Sequence, residues 1–236
     1  MNQDIVIKFY LKINPEVSKK NCLDALKIAK KNNIQNKMKR ISSSFLKEKY
    51  WKLFYLIGFF SKDNFIYEHG VLHGYSLLSF AFGKFYSGSK KKSVIGQDLF
   101  ERYKFNSSKY LNLNNQIKNF KLNKIINLIK KNLMIKNDYK NNIFELKRIN
   151  KPGIHMIDLS NCGTIIESAI NKTNWRKVKF LIFEGGGSAE RDNIKWMKRF
   201  KRKKIQPVLN LYKKKDFEIF TLKYYPTVSV VRKKAI

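Results

Sequence analysis

Apolar residues along this chain gather in short blocks, and the blocks alternate between two periodicities. Runs rich in apolar residues at 65–68, 92–98, 125–129, 154–158 and 178–184 read as strands. Between them, helical patterns follow Ser76 and cover 111–120, 164–171 and 190–200. Strands alternating with helices predict an α/β fold with a mostly parallel sheet and helices on both faces. Three closely spaced strand-like runs, 205–209, 217–222 and 227–231, predict an antiparallel edge at the C-terminal end. Ahead of the first sheet strand, 5–13 alternates as a strand or extended arm would. An amphipathic helix is then expected from Pro15 to about Lys31, and an aromatic-rich helix over 44–60. Residues 1–62 are therefore expected to form a helical extension or lid, and 63–236 the sheet domain. The polar tract 130–142 reads as a loop or weak helix.

The first sheet strand ends at Glu68, and a turn with Gly70 and Gly74 leads into the helix that begins near Tyr75 and Ser76. Strand, glycine turn and helix N-terminus make a cradle for a nucleotide-like ligand. The backbone can approach closely where no Cβ intervenes, and the first helical turn offers unpaired N–H groups. The second strand ends at Asp98, whose two carboxylate oxygens can accept from ribose hydroxyls. Two further strands end at Asp158 and Glu184. Four carboxylates at strand ends suit a cationic, ribose-bearing cosubstrate. They would repel a pyrophosphate, and the chain has no G-x-x-x-x-G-K-[ST] phosphate loop.

A chain of 236 residues, 43% hydrophobic and 14% aromatic, can bury a substantial core. Its 50 basic against 17 acidic side chains give a formal net charge of +33, which attracts phosphate-rich partners or an anionic membrane surface. The bases are spread along the chain, as biased composition also produces, so nucleic-acid binding and peripheral membrane contact stay open without being favoured. Cys22 and Cys162 fit no metal-binding spacing and read as reduced thiols of a cytoplasmic protein. No secretory leader or run of about 20 apolar residues is present, so no transmembrane segment is expected.

In order, Glu68-His69-Gly70-Val71, Gly74 to Leu78, Val94 to Glu101, His155 to Asp158, Ile182 to Gly186 with Ser188, Glu190, Arg191 and Asp192, and Tyr225 to Val231 resemble the class I S-adenosylmethionine-dependent methyltransferases. Within these they resemble the macrocin O-methyltransferase-like group. The resemblance implies a Rossmann-like methyltransferase sheet and S-adenosylmethionine as cofactor. Gly70, Gly74, Tyr75 and Ser76 would then receive its methionine moiety and Glu68 its cationic end, while Asp98 holds the ribose and Leu99 packs beside the adenine. His155 and Asp158 are the implied candidates for a catalytic base. Relatives with a metal cluster acids after the fourth and fifth strands. Here Ser160 stands where a second acid is expected, which leaves Asp158 and Glu184 as candidate magnesium ligands. The expected activity is O-methylation of a sugar or other small hydroxylated acceptor; the alternative is a basic module, or RNA methyltransferase, that binds RNA or anionic membrane with the same fold.

Overall fold

The computed structural model describes residues 1–61, 63–89, 92–102, 109–186 and 192–234. They divide into two compact units, Met1–Lys131 and Asn132–Ile236.

In the first unit, helices α1 (Gln3–Ile13), α2 (Lys19–Lys31), α3 (Ile34–Lys39) and α4 (Trp51–Phe60) precede strand β1 (Ile66–His69). Helix α5 (Tyr75–Tyr86), β2 (Val94–Asp98), a 3-10 turn (Phe100–Arg102), α6 (Tyr110–Asn119) and β3 (Ile126–Lys130) follow. The segment expected to be extended at 5–13 is helical instead. Val6, Phe9, Tyr10 and Ile13 are buried at spacings of three, four and seven, a helical stripe, and Asn2 caps the first turn through the amide of Asp4. Helix α4 starts at Trp51, later than the expected 44, because 44–50 forms turns.

Helices α4 and α5 cross at backbone distance. A Cβ on Gly58 would lie 2.2 Å from the carbonyl oxygen of Phe80, and one on Gly83 would lie 2.2 Å from that of Tyr55. Lys84, fully buried, closes the same corner: its ammonium donates to the carbonyls of Ser61 and, at 2.7 Å, Asn64. Burial pulls its pKa down to about 8, partly countered by Asp63. On the other side of α5, β1 and β2 pair in parallel, as do β2 and β3, with Glu68 level with Gly96 and Asp98 level with Lys130.

The second unit opens with a hairpin, β4 (Met134–Asp138) and β5 (Ile143–Leu146), where the sequence suggested a loop or weak helix. β4 exposes most of its side chains, so it lacks the apolar alternation that marks a half-buried strand. Strand β6 (Gly153–Ile157), helix α7 (Gly163–Lys172) and β7 (Val178–Glu184) form the expected parallel unit. Helices α8 (Lys195–Arg199) and α9 (Ile205–Lys213) then lead to β8 (Phe217–Leu222) and β9 (Val228–Lys233). β9 lies between β7 and β8 and is antiparallel to both, the expected edge. The expected strand at 205–209 is instead the start of α9, which buries Ile205, Val208, Leu209 and Tyr212 along one helical stripe. Parallel pairing within both units and an antiparallel C-terminal edge, with helices between the strands, give the mostly parallel α/β architecture read from the sequence. Among the described residues, no helix is long and apolar enough to cross a membrane.

Candidate active site

The glycine turn after β1 is shaped by alternating left-handed residues, Gly70 at φ 89°, Leu72 at 49° and Gly74 at 80°. Glycine adopts such angles freely, whereas Leu72 is strained there. Asp98, one strand away, holds the turn. Its Oδ2 accepts the amides of Val71 at 2.6 Å and Leu72 at 2.9 Å, and its Oδ1 accepts the amide of Phe100 at 2.9 Å. Consecutive amides converging on one oxygen form an anion nest, and the chain fills it with its own carboxylate. Of the roughly four acceptor positions of a carboxylate, three are taken by described residues and one on Oδ1 is left.

Glu68 is buried at the end of β1 and accepts the hydroxyl hydrogen bond of Ser76 from the first turn of α5. That contact ties strand end to helix start across the glycine turn. Gly74 is the N-cap of α5 and supplies no side-chain cap to the helix. Tyr75 is buried, and its phenol oxygen accepts the amide of Trp51 at 3.3 Å, so only its backbone N–H faces the turn as a candidate donor. Leu99 is half-buried between Asp98 and the 3-10 turn. Leu113 of α6 packs over Gly74, where a Cβ would meet its Cδ1 at 2.5 Å. The glycine at 74 is thus favoured by its backbone angle, while a Cβ there would displace only the end of the flexible Leu113 side chain.

The structure brings Glu68, Gly70, Gly74, Ser76 and Asp98 together around one turn in the first unit. The bracing by Val71, Leu72 and Phe100 escaped the sequence reading, since backbone amides leave no mark on residue identity. Asp158 and Glu184 fall in the second unit. They directly follow the paired residues Ile157 and Phe183, so they stand level at the ends of adjacent strands. Buried Asn161 links those ends, donating to the carbonyls of Ile157 at 2.8 Å and Glu184 at 3.0 Å. Ser160, at the place of the expected second acid, is exposed and left-handed at φ 58°. Among the described residues, no group of three or more His, Cys, Asp or Glu side chains could hold a metal ion.

His155 lies in the middle of β6 and is 2% exposed, with Nε2 2.9 Å from the carbonyl oxygen of Lys151. That carbonyl can only accept, so Nε2 carries the proton. Burial lowers the His155 pKa to about 4, against a small rise from the same hydrogen bond. Asp192 accepts the amides of Ile205 at 2.7 Å and Gln206 at 3.0 Å and so caps α9, a long-range role. Gly187, Ser188, Glu190 and Arg191, the remainder of that motif, lie outside the described residues.

Compared with solved structures, the chain resembles an O-methyltransferase from Bacillus cereus in complex with S-adenosylhomocysteine. That match has a TM-score of 0.50 at 13% identity and covers 95% of this chain and 96% of the other. The fold is the class I methyltransferase fold. A Klebsiella pneumoniae protein classed as an O-methyltransferase gives a TM-score of 0.53 at 10% identity, covering 86% of this chain and 89% of that one. An O-methyltransferase family protein from Burkholderia thailandensis gives 0.50 at 10% identity, over 80% of this chain and 56% of that one. No family model matches the chain, and no curated protein matches it.

Proposed function

We propose that the protein is an S-adenosylmethionine-dependent methyltransferase acting on a hydroxyl of a sugar or other small acceptor. The observation that carries this reading is the turn between β1 and α5. A buried acid, left-handed glycines, a helix end without a side-chain cap and an Asp98 that accepts the loop amides surround one loop. The neighbouring fold with bound S-adenosylhomocysteine supports it.

In this reading Asp98 accepts one ribose hydroxyl at its remaining position while still holding the loop. The N–H groups at the start of α5 receive the carboxylate of the methionine moiety, and Glu68, oriented by Ser76, offsets the positive charge. The cofactor, when bound, supplies an electrophilic methyl group. Of the two candidate bases in the second unit, Asp158 stands just past the end of β6, whereas His155 is buried in mid-strand with its pKa lowered to about 4, which makes it a weak base, so Asp158 is the better candidate. Asp158 and Glu184 are the two carboxylates available there to a magnesium ion, which would complete its shell with water.

Calorimetry with S-adenosylhomocysteine tests the reading. Binding is expected for the native chain, with at least a tenfold loss in Asp98→Ala and in Gly70→Val. A chain that shows no heat of binding, or variants that bind as well as the native chain, refutes it. Chelation of divalent ions is expected to leave this affinity unchanged, because the residues proposed to hold the cofactor include no metal ligand.

A further inference from the structure

Charge is not uniformly distributed in the second unit. About one residue in five is Lys or Arg over the whole chain, 50 of 236, whereas the segment 195–204, KWMKRFKRKK, holds seven bases in ten residues and no acid. Lys195, Lys198, Arg199, Lys201 and Lys204 are exposed. Lys203 pairs with Glu167, and Arg202 is buried against the faces of Tyr139 and Phe144, 4.6 and 4.8 Å from their ring centres. The buried Arg202 therefore anchors the segment, while Lys203 and the other cations stay on the surface. Among them stands Phe200, 46% exposed, with Arg199 5.5 Å and Arg202 5.6 Å from its ring centre. Lys204 continues the basic surface into a groove of about 560 Å³, shared with Lys213, Lys223 and the polar side chains of Gln206, Asn210 and Thr221. Among the described residues its one carboxylate, Asp192, is occupied by the α9 amides.

We propose that this face is a docking surface for single-stranded nucleic acid. Surface cations on 195–204 take the phosphates, a base stacks on Phe200 in place of the exposed Arg199, and the groove receives the continuing backbone. Cations beside an aromatic ring, leading into a groove lined with hydrogen-bonding groups, match the needs of a phosphodiester strand. An anionic lipid surface would be met by several apolar anchors, and this segment exposes one. The inference is independent of the methyl-transfer reading.

The test is fluorescence anisotropy with a labelled RNA of about 20 nucleotides, comparing two variants of the full chain with equal net charge. One carries K195Q, K198Q, R199Q and K201Q; the other carries K8Q, K12Q, K20Q and K30Q, at exposed positions of α1 and α2. The first is expected to lose at least tenfold in affinity, and its salt dependence should weaken by about three counterions. The second should lose less than threefold. Phe200→Ala should weaken single-strand binding about tenfold and leave duplex DNA unaffected. Circular dichroism melting confirms that each variant is folded. Equal losses in the two charge variants, an unaffected Phe200→Ala, or patch-dependent binding to phosphatidylserine vesicles alone would each overturn the proposal.

Discussion

Asp98 holds the loop and, in the proposed function, a ligand as well. Its carboxylate fixes Val71 and Leu72 in place, so its loss should reach beyond a single missing contact to cofactor. In Asp98→Ala, amide exchange at Val71 and Leu72 is expected to accelerate together with the fall in cofactor affinity; unchanged exchange would show that the brace is dispensable. His155 has a different signature. Its pKa is about 4 in the fold against 6.5 for the free residue, so between those values the unfolded chain binds more protons. Stability from this group is thus complete above pH 6.5 and falls as pH drops toward 4, by about 3 kcal/mol in all. Urea melts across that range should show the slope, and His155→Gln should flatten it.

Among the elements, the crossing of α4 and α5 carries the clearest prediction. Each of Gly58→Ala and Gly83→Ala inserts a Cβ where a backbone carbonyl stands at 2.2 Å. The helices must separate, at a cost of about 1–3 kcal/mol each. Chemical denaturation measures this directly, and unchanged midpoints would mean that the crossing is loose. The same scale decides what sequence could reveal. β6 and β7 were legible because strands covered on both faces are rich in apolar residues, and β2 through the Val94-Ile95 pair that leads to Asp98. Helix α1 was misread because counting Ile5, Ile7, Phe9, Leu11 and Ile13 as one face passes over buried Val6 and Tyr10. The α9 stripe was cut at Leu209, before Tyr212 completed its period. The β4–β5 hairpin escaped because its outward face is as polar as a loop. At the site, glycines and strand-end acids could be read, whereas amides braced by Asp98 and the cover that Leu113 lays over Gly74 depend on tertiary approach.

For the whole molecule the dominant fact is a formal charge of +33. Few bases have an acidic partner, and like-charge repulsion opposes the compact state. Raising sodium chloride from about 50 mM to about 500 mM shortens the screening length severalfold and should raise the melting temperature. A melting temperature that falls or stays level would show that local pairing outweighs the repulsion. Against that background the inward-facing acids are exceptional, and Asp98 most of all. A turn whose amides are already answered from within keeps its outline with or without a guest. In the proposed site, discrimination then passes to the lone pair left over, so a nucleoside lacking the matching hydroxyl is expected to bind more weakly.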